Sequence, residues 1–217
     1  MRYEHDLRPF FANNEGISGG VGGTFPFAVV VKGNGTAYVS SDRDREVVVI
    51  DISSATAGRL VKRIKLDGNG MGMALDAGGS KLFVAEDNAD QVAVIPLKGD
   101  EHAYRVAGLI PTAYEPHDIT FSADGSWMYI VNGKSVTGPN PGHLASATGN
   151  VTLTFPDGPP AGAAAAAAAR ASNQYQFQLE RASRVSAPVP ARNELERLTM
   201  QVAANTSTAR RGKTTRR

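Results

Sequence analysis

Three stretches of the chain recur at a nearly constant spacing, and that period limits the fold more than any other feature. The segments FPFAVVVKGNGTAYVSSDRDREVVVIDI (25–52), GMGMALDAGGSKLFVAEDNADQVAVIPL (70–97) and YEPHDITFSADGSWMYIVNGKS (114–135) align so that Tyr38, Phe83 and Tyr129 fall at equivalent places, 45 and 46 residues apart. The period persists beyond them: EVVVIDI from Glu46 recurs as QVAVIPL from Gln91, and LVKRIKL (60–66) has a weaker echo in RVAGLIP (105–111). Such a chain folds as a series of like units, each of which needs a neighbour to bury its apolar side.

Each unit reads as strand, tight turn, strand, loop, strand, loop, strand. Asn34-Gly35, Gly78-Gly79 and Asp124-Gly125 reach positive φ cheaply and are expected to form two-residue hairpin connections. The flanking runs, such as Val29-Val30-Val31 and Trp127-Met128-Tyr129-Ile130-Val131, are β-branched or aromatic. Four short strands in about 40 to 50 residues are the content of a β-propeller blade. A β-sandwich has no need of one fixed period, which sets it aside.

The third unit is interrupted. Where its third strand is due, TGPNPGH (137–143) has two prolines and two glycines, which a central strand does not tolerate; NVTLTF (150–155) is the next strand-like run and is expected to be the delayed partner. After PDGPP the period changes. Ala163–Ala169 and the following RASNQYQFQLERA predict a helix with Tyr175, Leu179 and Ala182 on one face, stopped by Pro188 and Pro190. A second helix is expected over about 193–204, with Leu195, Leu198 and Val202 on one side. The expected class is therefore mainly β: a partial β-propeller of about three four-stranded blades followed by a helical, partly disordered C-terminal segment. Its divisions are 1–24, a remnant of a preceding blade or disordered; 25–158, the partial propeller; 159–205, a helical linker; and 206–217, a disordered basic tail.

Composition narrows the function. Five of the 23 Lys and Arg lie in the last eight residues, which leaves 18 against 21 acidic residues in the body and no general basic surface for nucleic acid. Any such binding would be non-specific and would run through the tail. The absence of cysteine excludes disulfides, thiolate metal sites and cysteine nucleophiles. The start, MRYEHDLRPFF, lacks the apolar run of a signal peptide, and no run of about 18 apolar residues follows. No membrane partner is expected. There is no G-x-S-x-G, H-E-x-x-H or Walker sequence, and GNGMG (68–72) links two blades rather than a strand to a helix.

Polar residues gather instead at the strand ends opposite the hairpin turns. Pairing about Asp124-Gly125 sets His117 opposite Asn132, and the equivalent ends carry Phe27 with Asp42 and Gly70 with Asp87. His117, Asp118, Asn132, Lys134, Asp42, Arg43, Glu86, Asp87 and Asn88 would then form a polar ring at one mouth of the channel. That ring is the candidate site for a protein or small-molecule ligand. Within it, Asp42, Glu86, Asp87 and Asn132 are oxygen ligands suited to a divalent cation; no other cofactor and no catalytic residue is expected. The competing reading is architectural, because short polar side chains commonly close strand ends by bonding to nearby backbone.

The motifs AYVSSD, LFVAED and MYIVNG, the first two followed by VVVID and VAVIP, resemble the YVTN family of bacterial β-propeller repeats over about residues 25–135. No repeat has the full Tyr-Val-Thr-Asn, and Pro96 replaces the family's Asp. VNGKSVTGPNPG and the Ala-rich, Gln-rich and NELERLTMQVAAN segments after it resemble the linker of proteins that join such a propeller to an alkaline-phosphatase-like phosphoesterase domain. The resemblance implies a periplasmic or secreted setting and a chain that is a piece of such a protein, with missing blades or the phosphoesterase domain as partners. The expected function is a non-catalytic binding scaffold. The alternative is a metal-dependent, lactonase-like hydrolase using the channel-mouth ring.

Overall fold

Within each repeat, alternation of side chains across the backbone turns the apolar runs into strands with two useful faces. The computed structural model describes residues 25–54, 58–98, 103–134, 162 and 182–214, with side chains to residue 206. The chain divides into two compact units, one of Met1–Gly133 with Ser183–Arg217 and one of Lys134–Ala182. Of the second, Lys134, Gly162 and Ala182 are described.

Among the described residues, the first unit is mainly β, with three antiparallel sheets and one α-helix. Strands β1 (Pro26–Lys32), β2 (Thr36–Ser41), β3 (Glu46–Asp51) and β4 (Arg59–Lys65) form the first sheet in chain order. The second repeats the plan with β5 (Gly70–Leu75), β6 (Lys81–Glu86), β7 (Gln91–Pro96) and β8 (Gly108–Pro111). The third has β9 (Pro116–Phe121), β10 (Trp127–Asn132) and β11 (Ser183–Pro188). Helix α1 (Arg192–Thr214) follows.

The sheets pack face to face, and the repeat explains how. Leu82 and Val84 point from β6 toward the first sheet, where they meet Tyr38, Val47, Val49 and Ile64. Phe83 and Ala85 point the other way, to Ile119, Met128 and Ile130 of the third sheet. Each large apolar side chain removed from water in these layers contributes roughly 1.5–3 kcal/mol. Two sheets of four sequential strands, stacked in chain order with a third, are arranged as consecutive blades of a partial propeller.

Four expectations change. The strand beside β10 is Ser183–Pro188, not NVTLTF, which lies outside the described residues. Strand β11 also occupies the stretch that was expected to close the first helix. Pro188 and Pro190 bias the residues before them toward extended backbone, and Val185 gains a place against the second apolar cluster. Helix α1 starts close to the expected point and runs to Thr214 rather than to about 204. The hairpin loops exceed two residues: Gly33–Gly35, Asp76–Ser80 and Ser122–Ser126 intervene, with positive φ at Gly33, Gly79 and Gly125. Asp76 and Asp124 explain the longer loops, since their carboxylates accept the backbone N–H of Ser80 (2.6 Å) and Ser126 (3.1 Å).

Helix α1 lies along β8. Leu195 and Leu198 join the second cluster, and the Leu109 N–H donates to the Thr199 hydroxyl at 2.9 Å. Gly108 makes the approach possible, because a Cβ there would stand 2.5 Å from Leu195 Cγ. No helix among the described residues is long and apolar enough to cross a membrane.

Candidate metal centre at the sheet rim

Asp42, Asp87 and Gly133 each follow the second strand of their sheet, and each donates its backbone N–H to the same place. The acceptors are the carbonyls of Phe25 (3.1 Å), Asn69 (3.0 Å) and Glu115 (2.7 Å). Phe25 and Glu115 reach this geometry with left-handed φ of 54° and 55°. The loop before β9 is further fixed by Asp90, whose carboxylate accepts the Glu115 N–H at 2.9 Å and whose carbonyl accepts the Thr112 N–H at 3.0 Å. These bonds hold Glu115 beside the end of the second sheet.

The result is a cluster drawn from two sheets. One ligand atom each of Asp87, Glu115 and His117 lie within 4.8 Å of one another. His117 Nε2 stands 3.9 Å from Asp87 Oδ1, and that oxygen is buried without a hydrogen-bond partner. Burial pushes the Asp87 carboxyl above its ordinary range, and the nearby Glu115 charge adds to the rise while His117 opposes it; Asp42 and Asp90 add smaller repulsions. A cation placed among these groups would reverse that balance. The backbone is tight as well: a Cβ on Gly72 would come within 2.6 Å of the His117 carbonyl, and one on Gly133 within 3.0 Å of His117 Nε2.

Of the expected metal set Asp42, Glu86, Asp87 and Asn132, only Asp87 belongs to the cluster. Glu86 is buried, accepts the Gly68 N–H at 3.0 Å and the Gln91 amide at 2.6 Å, and its burial raises its pKa. Asn132 is fully buried, with its amide 3.4 Å from the Ile130 carbonyl, and it pairs with Pro116 rather than His117. The reason is a bulge: all three sheets shift register near this end, between Pro26 and Val29, Gly70 and Met73, and Val131 and Asn132. The same shift pairs Pro26 with Ser41 and Gly70 with Glu86 instead of the expected partners.

The remaining ring residues have local roles. Asn88 Oδ1 accepts the Asn69 N–H at 3.0 Å, Asp118 accepts the Ile119 N–H at 2.9 Å, and the Arg43 guanidinium lies 4.9 Å from the Phe25 ring centroid. Lys134 belongs to the second unit. Asp42 acts on Asp87 through its charge. Glu115 was absent from the expected ring because it lies ahead of the strand; its equivalence to Phe25, just before a proline in both repeats, is the signal that marks it.

No family model matches the sequence, and no curated protein matches it significantly. Among solved structures, hydrazine synthase of Kuenenia stuttgartiensis is similar at 19% identity and a TM-score of 0.44, over 50% of this chain and 29% of that one. A protein from Desulfotomaculum acetoxidans aligns at 16% identity and a TM-score of 0.46, over 51% of this chain and 36% of that one. A Bacteroides fragilis protein proposed to be a 6-phosphogluconolactonase aligns at 15% identity and 0.46, over 51% and 32%. The chain thus spans about a third of the length of each. The propeller layout rests on the sheets and their register.

Proposed function

We propose that this chain is a non-catalytic binding module, a partial propeller of the YVTN type, in which Asp87, Glu115 and His117 hold a divalent cation at the rim. The observation that carries this reading is the convergence of three ligand atoms within 4.8 Å around a buried, unpartnered carboxylate oxygen. One imidazole nitrogen and two carboxylates suit Zn²⁺ or Mn²⁺ better than the all-oxygen preference of Ca²⁺. Bound there, the ion ties the loop ahead of β9 to the end of β6 and presents a charged surface to a ligand. The sequence resemblance supports a periplasmic or secreted setting and a phosphoesterase-linked parent protein.

Thermal melting with Mn²⁺, Zn²⁺, Ca²⁺ or Mg²⁺ tests the reading, on the full chain and on His117→Ala. Metal at about a hundred times its Kd stabilises a one-site protein by about 2.7 kcal/mol. For a chain of this length that raises Tm by roughly 5–10 °C. Absence of a shift with every ion, or the same shift in His117→Ala, defeats the proposal. A hydrolase is the second reading, favoured by one feature: three protein ligands leave a coordination position for water. Metal-dependent ester or lactone hydrolysis that disappears in His117→Ala would establish it over the first.

A further inference from the structure

Asparagine followed by glycine occurs three times, at Asn34-Gly35, Asn69-Gly70 and Asn132-Gly133, and the fold puts the three pairs in different surroundings. Asparagine is chemically labile. A glycine after it adds to the lability, because a residue without a Cβ lets its backbone nitrogen approach the preceding side-chain amide. That approach needs a free side chain and a free backbone nitrogen.

Asn132 has neither: it is fully buried, and the Gly133 N–H donates to the Glu115 carbonyl at 2.7 Å. Asn69 is held on both sides, its N–H donating to Asn88 Oδ1 at 3.0 Å and its carbonyl accepting the Asp87 N–H at 3.0 Å. Gly70 is buried as well, with Leu66 Cδ1 2.9 Å from the place a Cβ would take. Reaction at either pair requires local opening of packed strand ends, which draws on the stability of the fold.

Asn34 is exposed, in the three-residue loop between β1 and β2. The other two hairpin turns are closed by the carboxylates of Asp76 and Asp124, and this one is not. The Gly35 carbonyl accepts the Ile52 N–H at 2.9 Å, whereas among the described residues no backbone carbonyl outside the strand ladders takes the Gly35 N–H. Nothing stands within 4 Å of the place a Cβ would take on Gly33 or Gly35.

We propose that Asn34 is a site of spontaneous deamidation, the one pair of the three that reacts in the folded chain. The Gly35 nitrogen bonds to Asn34 Cγ, the Cγ–Nδ2 bond breaks, and Nδ2 leaves as ammonia with the Gly35 proton. Water then opens the succinimide ring. Attack at Cγ gives aspartate with the backbone restored; attack at the α-carbonyl gives isoaspartate, whose backbone runs through Cβ and Cγ. No electrons are transferred, and one water is taken up for each ammonia released. Both products place a negative charge on the turn. Isoaspartate also adds a backbone atom between Lys32 and Thr36, the pair that ends the β1–β2 ladder. Because β1 pairs with β2 alone and loop length sets a hairpin's register, that product loosens the edge of the first sheet.

Peptide mapping by mass spectrometry, after incubation of the full chain in mildly alkaline buffer, tests this. Trypsin separates the three pairs onto peptides 33–43, 66–81 and 106–134. In the folded chain, peptide 33–43 should gain a single dalton and resolve into aspartate and isoaspartate forms, while the other two stay unchanged. In urea all three should react at similar rates. Gly35→Ala should slow the reaction at Asn34 several-fold and leave the melting temperature unchanged, since the added methyl meets open space. Faster reaction at Asn69 or Asn132 in the folded chain, equal rates there and in urea, or no slowing in Gly35→Ala would overturn the proposal.

Discussion

Asp87 and Glu86 are neighbours that face opposite constraints, and their titration separates structure from site. Burial is the leading cause that lifts both carboxyls above their ordinary ranges. A group whose pKa is raised in the fold contributes stability that is fully present below its unfolded pKa and is lost as pH rises through the folded value. Asp51 and Asp124 work in the other direction, held at about 2 by hydrogen bonds from Ser53 with Arg59, and from Ser122 with Ser126. Their contribution is present above the ordinary aspartate pKa and is lost as pH falls toward 2. In metal-free urea denaturation, stability should rise as pH falls from neutrality toward the ordinary carboxylate range, then fall in stronger acid as Asp51 and Asp124 are protonated. Glu86→Gln should flatten the rise, and an unchanged profile in that variant would remove Glu86 as its source. Asp87→Asn should stabilise the metal-free chain while abolishing the metal-induced rise in Tm; a variant that still responds to metal would place the ion elsewhere. At this scale His117 was legible in the sequence, because histidine is uncommon at strand ends. Glu115 was missed, although it precedes Pro116 as Phe25 precedes Pro26, because its placement also depends on a left-handed φ and on a bond to Asp90.

Elements were read well where period and propensity agreed. Strands β1–β3 and β5–β7, the aromatic positions and the echo of β4 in β8 all follow the repeat. Strand β11 was missed because alanine and glutamine upstream suggest a helix, while the prolines downstream and the need of β10 for a partner decide the outcome. The bulges were missed as well, since a hairpin's pairing extrapolates only while one residue faces one. The contact of α1 with β8 gives a prediction of its own. Gly108→Ala should cost about 1–3 kcal/mol through overpacking against Leu195. Adding Leu195→Ala should recover part of that loss, because the two changes share one space. Additive costs in a double-mutant cycle by chemical denaturation would show that the helix does not press on that glycine.

Across the whole molecule, one repeat position meets three environments, and that is where the blade reading makes its strongest stability prediction. Phe83 is buried between the second and third sheets with its ring 5.0 Å from that of Phe121 at 74°. Phe83→Ala should cost about 3–5 kcal/mol. Tyr129→Ala, at the equivalent place on the outward face of the third sheet, should cost much less. Equal costs, measured by denaturation, would mean that the two positions do not share a plan. The most direct test of the account is paramagnetic: Mn²⁺ added to isotope-labelled protein should first broaden the amide signals of Asp87, Glu115, His117 and Gly133, which come from two sheets and their connecting loops. Gly33, Gly79 and Gly125, at the hairpin turns roughly 20 Å away along the strands, should stay sharp. Broadening that begins at the turns, or that spreads evenly over exposed carboxylates, would contradict a cation site at the gathered strand ends.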